Sequence, residues 1–118
     1  MSNGEVVGYA GDSGSRVFGG ALPLNSWVHV ALSVVWSGAK SFTKIFVNGV
    51  ETSNRSSSNT PNFNQTVKIG IPDPYPNPNG FLEFEGGLNN VRIWNTAYTS
   101  INPNRVVAGT ESDLVMSF

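Results

Sequence analysis

Trp27-Val-His-Val-Ala-Leu-Ser-Val-Val-Trp36 is the stretch on which the fold turns. Successive side chains of a strand point to opposite faces. Val28, Val30, Leu32, Val34 and Trp36 therefore share one face, while Trp27, His29, Ala31, Ser33 and Val35 share the other. Both rows are largely apolar, which predicts a strand inside a sheet, because an edge strand would leave one of them in water. Downstream, Phe42 to Val47 reads as a second strand and Asn48-Gly49 as a type I′ hairpin turn, since both residues tolerate positive φ. Val50 to Thr52 begins the return strand, and Ser53 to Asn64, nearly all Ser, Asn, Thr and Pro, predicts a surface loop.

Period two governs the rest of the chain as well. Thr66 to Ile71, Phe81 to Phe84, Leu88 to Trp94 and Leu114 to Phe118 read as strands, with shorter ones at Glu5 to Ala10 and Arg16 to Gly19. Between them, Pro72, Pro74, Pro76 and Pro78 forbid both helix and central strand, so residues 71–80 form a stiff exposed loop. Gly86-Gly87 marks a bulge or a close backbone approach. Asn102-Pro103 suits the cap and first turn of one short helix near 102–108. The pattern predicts an all-β, two-sheet antiparallel sandwich, and 118 residues fit a single domain spanning 1–118.

Composition narrows the function classes. Charged residues are only 13% of the chain, and seven basic against eight acidic residues leave a net charge of −1, without the basic footprint of a nucleic-acid binder. There is no cysteine, hence no disulfide and no thiolate metal site. No stretch approaches the roughly 18 apolar residues of a membrane span. The opening Met-Ser-Asn-Gly lacks the features of a signal peptide, so compartment stays open.

Four motifs in order carry a family resemblance: Leu24-Asn-Ser-Trp27-Val-His29-Val-Ala31, Ile45-Phe-Val-Asn48-Gly49, Val67-Lys-Ile-Gly70 and Phe84-Glu-Gly86-Gly-Leu88-Asn-Asn-Val91-Arg-Ile93-Trp94-Asn95-Thr-Ala97. They resemble the laminin G-like, pentraxin-like branch of the concanavalin A-like lectin and glucanase superfamily, over about residues 20–118, with Ala108 to Val115 similar to its closing segment. The resemblance implies a jelly-roll topology, Trp27 and Trp94 in the core, and an extracellular or surface-associated setting. Family members usually carry further strands ahead of this region. The expectation is thus a compact or N-terminally truncated variant whose open edges favour a homo-oligomer. Asn89-Asn90 stands where an acidic residue is common in the family.

Catalysis finds little support in the residues. A glycosidase needs two carboxylates about 5 to 9 Å apart across a cleft. Glu83 and Glu85, at i and i+2, would lie about 7 Å apart by strand rise, but Phe81-Leu-Glu-Phe-Glu-Gly lacks the glucanase pattern. His29 is the sole histidine and reads as a core imidazole with a hydrogen-bond partner. The chain is expected not to be an enzyme and to require no cofactor.

Binding is the better reading. Carbohydrate recognition combines an aromatic ring for the sugar's apolar face with amides or carboxylates for its hydroxyls, on a frame that reorganises little. Asp73, Tyr75, Asn77 and Asn79 supply that mixture on the proline loop, and Trp36 offers a second ring. By the resemblance, Asp73, Asn77 and Asn79 are also candidate calcium ligands, with Asp12 near the start; the oxygens suit a hard cation but the charge is low. Asn54-Arg-Ser56 and Asn64-Gln-Thr66 match the glycosylation acceptor pattern. The expected partner is a carbohydrate or glycosylated surface, bound through loops at one end of the sandwich. The alternative is a structural or adhesion module that binds protein through sheet edges or a sheet face.

Overall fold

The computed structural model describes residues 4–8, 16–58 and 86–117. They form seven strands and no helix: β1 (Glu5–Gly8), β2 (Val17–Ala21), β3 (Val30–Ser37), β4 (Lys40–Val47), β5 (Val50–Ser57), β6 (Arg92–Trp94) and β7 (Leu114–Ser117). Every pairing is antiparallel, β1 with β2, β3–β4–β5 as a three-stranded sheet, and β6 with β7. The all-β antiparallel class is as expected. The strands expected at Thr66–Ile71 and Phe81–Phe84 lie outside the described residues.

The central sheet is two tight hairpins in succession. Val47 pairs with Val50 across Asn48-Gly49, whose φ values of 50° and 81° are those a type I′ turn requires. Ser37 pairs with Lys40 across Gly38-Ala39, where φ is positive only at Gly38, the type II′ pattern. Register fixes the faces. Val30, Leu32, Val34 and Trp36 lie opposite Val47, Ile45, Thr43 and Ser41 on one face, which buries Ile45, Thr43 and Ser41. Ala31, Ser33 and Val35 lie opposite Phe46, Lys44 and Phe42 on the other, where Phe46 and Ser33 are buried and Phe42 and Val35 are open.

β2 packs on the first of these faces and contributes the buried Val17. Gly19 sets how close the layers come: a Cβ there would collide with Val6 and sit 3.1 Å from Ile45 Cδ1 and 3.4 Å from Val47 Cγ2. Among the described residues, the buried apolar ones are Val17 and Ile45 where β2 meets β4, and Phe46 on the opposite face of β4.

Three local expectations are corrected. Residues 53–57 are strand, not loop: β5 pairs with β4 as far as Ser57 opposite Ser41, with a bulge at Thr52 between Ile45–Ser53 and Phe46–Glu51. A polar sequence forms a strand when its neighbour offers a complete ladder, because pairing satisfies the backbone whatever the side chains. Residues 102–108 form a turn rather than a helix. Asn102 Oδ1 accepts from the Asn104 amide at 3.0 Å and Asn102 O from the Arg105 amide at 3.1 Å. The turn then stops at two β-branched valines, Val106 and Val107, followed by Gly109 at φ 83°. Finally, the strand expected from Leu88 begins only at Arg92.

Candidate functional site

Asp73, Tyr75, Asn77 and Asn79, the residues expected to bind ligand or calcium, lie outside the described residues, as do Asp12 and the pair Glu83 and Glu85. Trp36 is described. It is half-buried beside Ser41 at the Gly38 hairpin, and its indole N–H donates to Gly38 O at 2.6 Å, so that donor is already committed. Among the described residues there is no group of three or more His, Cys, Asp or Glu side chains placed to hold a metal ion. No helix there is long and apolar enough to cross a membrane.

His29 departs from its expected place inside a strand. It precedes β3, half-buried, and its Nδ1 is buried with no hydrogen-bond partner. Burial first, then the nearby Arg92 charge, lowers its pKa. Its backbone is better provided for: the His29 amide donates to Asn48 Oδ1 at 3.0 Å, and His29 O accepts from the Asn48 amide at 2.8 Å. This two-bond clamp holds the segment that carries Trp27.

Trp27 is the largest surprise, being 75% exposed instead of core. It stands outside β3, in the connection from β2, so the strand alternation that assigned it a face does not reach it. Its six-membered edge rests on Gly87, where a Cβ would come within 2.9 Å of Cη2. The Gly86-Gly87 pair thus marks a close approach, one of its two expected readings. In the two segments that meet there, 24–27 and 86–90, Leu24 and Leu88 are 57% and 53% exposed, and Asn25, Ser26, Asn89 and Asn90 are exposed as well. Asn25 and Asn90 adopt φ of 58° and 56°, which asparagine tolerates. Nothing in the sequence separates Trp27 from a core tryptophan except its position at the margin of the periodic run.

A second open surface is the Val35–Phe42 end of the other face of the three-stranded sheet. A shallow depression of about 310 Å³ is lined by Phe42, Thr43, Lys44, Asn54, Arg55 and Ser56. Val35 and Phe42 form a cross-strand pair beside it, each 43% exposed. Lys44 Nζ binds Glu51 Oε2 at 2.8 Å and Asn54 Nδ2 donates to Glu51 Oε1 at 2.8 Å. These bonds lower the Glu51 pKa, Lys44 foremost, and neutralise the two charges against each other. The Asn54 amide of the acceptor pattern is therefore engaged within the sheet.

The segment after β6 is closed by its own side chains. Trp94 is half-buried and meets Tyr98 edge to face with centroids 5.6 Å apart. The Arg105 guanidinium lies over both rings, 4.8 Å from the Trp94 centroid and 5.3 Å from that of Tyr98. Tyr98 donates to Asp113, which holds that carboxyl below its usual pKa. The Glu111 carboxylate accepts from the amides of Ala108 at 2.8 Å and Gly109 at 2.9 Å, which lower its pKa likewise. These contacts satisfy one another.

Comparison with curated proteins and with solved structures gave no significant match. A family model did match, over residues 3–101, a span that takes in β1 to β6 together with the Trp27 segment and ends just before the Asn102 turn. The match covers most of the chain, which belongs to a laminin G-like family of the concanavalin A-like lectin/glucanases superfamily.

Proposed function

We propose that this domain is a non-catalytic binding module that recognises glycans through loops at one end of its sandwich. Family membership carries the reading, because laminin G-like domains generally bind rather than catalyse. The residue chemistry of the proline loop supports it: Asp73, Tyr75, Asn77 and Asn79 pair a ring with oxygen and amide groups on a stiff backbone. Trp36 is a further ring of this proposed site, and Asp73, Asn77 and Asn79 are its proposed calcium ligands. A glycan array, probed with calcium and separately with chelator, tests the reading. A defined sugar signal lost on Tyr75→Ala or Asp73→Ala supports it, and chelator sensitivity adds the metal. A blank array from folded protein refutes it for the glycans tested.

The second reading, protein recognition through a sheet face, has its own observation: Val35 and Phe42 present an exposed apolar pair at one end of the central sheet. A face used in this way by a second copy of the chain gives a homo-oligomer. Light scattering then reports a multiple of the 12.6 kDa chain mass that falls to the monomer on Phe42→Glu. A monomeric wild type sinks the self-association form of this reading.

A further inference from the structure

We infer that Trp27 and the Gly87 backbone on which it rests form a saccharide-stacking ledge for an uncharged pyranose ring, at the Asn48-Gly49 end of the central sheet. The inference rests on the glycan reading and adds to it a second contact point, at the end of the central sheet opposite Trp36. Its first support is exposure. A tryptophan 75% open to water withholds a large apolar surface from the core, and an isolated ring of that size is not needed for packing. Its second is rigidity. Gly87 backs the indole edge, and the paired bonds between His29 and Asn48 fix the chain two residues beyond it. A ring held in place before binding loses little freedom when a ligand stacks on it.

The surroundings select the ligand. Residues 24–27 and 86–90 contain no charged side chain, so nothing there recognises a sulfate, a carboxylate or an anionic lipid headgroup. They offer Ser26 and the amides of Asn25, Asn89 and Asn90, all exposed, which donate to and accept from hydroxyl groups. Leu24 and Leu88, in the same two segments, add exposed apolar surface. An exposed indole with neutral amides in its own segment and in the one it rests on complements a sugar, whose ring has C–H faces and a hydroxyl edge.

The test compares the full chain with Trp27→Ala, Gly87→Ala and Tyr75→Ala on an array holding neutral and acidic glycans, each variant first shown to be folded by circular dichroism. Gly87→Ala is the informative one: the new methyl meets the far end of an exposed side chain, so it displaces the indole without disturbing the core. The expected result is binding to neutral glycans that weakens about tenfold or more in Trp27→Ala, given that tenfold corresponds to the loss of one good ring contact. Gly87→Ala weakens it by a smaller factor. Undiminished binding by Trp27→Ala overturns the ledge and leaves glycan recognition standing. Signals confined to acidic glycans also overturn it. A blank array removes the glycan reading and the ledge together.

Discussion

The two hairpin ends of the central sheet are built alike and furnished oppositely. At the Asn48-Gly49 end the turn is tied on two sides. Asn48 binds the His29 backbone in both directions, and Gly49 lies so close to the C-terminal segment that a Cβ would stand 2.8 Å from Ile101 O and 2.9 Å from Pro103 Cδ. The strand ends beneath it are apolar, with Ile45 and Val47 against Gly19. At the Gly38-Ala39 end, a Cβ on Gly38 would meet nothing within 4 Å. The strand ends there carry Ser41 and Thr43, buried hydroxyls without a hydrogen-bond partner. One end is a junction of three chain segments. The other is a turn of local design.

Substitution at the two turns is the sharpest way to break this contrast. Gly49→Ala must bear both a left-handed backbone and a collision with a carbonyl, and should destabilise by about 3 kcal/mol. Gly38→Ala bears the backbone strain alone, about 1–2 kcal/mol. Urea unfolding of the pair measures the difference, and equal losses would mean that Gly49 is not a junction. Next in size, Asn48→Ala should cost about 2 kcal/mol through the positive φ and the lost acceptor for the His29 amide. Asn48→Gly keeps the turn and loses only the acceptor, so it should cost less; hydrogen exchange at the His29 amide should quicken in both.

At the opposite end the expected sign reverses. Thr43→Val removes a buried unpartnered hydroxyl at nearly constant shape and should stabilise by about 1 kcal/mol, read as a rise in urea midpoint. A fall would show that the hydroxyl has a bonding role. The smallest effect belongs to His29. Its folded pKa lies below the ordinary value of 6.5, so the unfolded chain binds the extra proton. The stabilisation is present above about pH 6.5 and is lost as pH falls through the lowered folded value. Stability measured from pH 7.5 to 5 should decline in the wild type and flatten in His29→Gln. Parallel curves would dismiss a role for this imidazole in stability.

These particulars show where a sequence speaks. Alternation over residues 30–36 and 42–47 was legible because each position reports a face, and Asn48-Gly49 because few residue pairs accept positive φ twice. β5 beyond Thr52 was silent, since Ser53 to Ser57 owe their strand to the ladder of β4 and not to their own side chains. The Asn102 turn was half legible: its capping bond formed, but propagation failed on the valines that follow. The exposure of Trp27 is hidden from the sequence for a related reason. A motif position describes typical packing, whereas this ring's exposure depends on which segment crosses beside it, and Gly87 is sixty residues away.

The clasp of Trp94, Tyr98, Arg105, Glu111 and Asp113 has a bearing on the order in which the molecule assembles. All its contacts close within twenty residues, whereas β1 and β2 must find a sheet formed from later parts of the chain. Short loops are cheap to close and quick to form. The clasp is thus the part of the molecule whose contacts have the least chain to close, and it should form before β1 and β2 dock; pulsed hydrogen exchange that protects the Ala108 and Gly109 amides later than β2 would reverse that order.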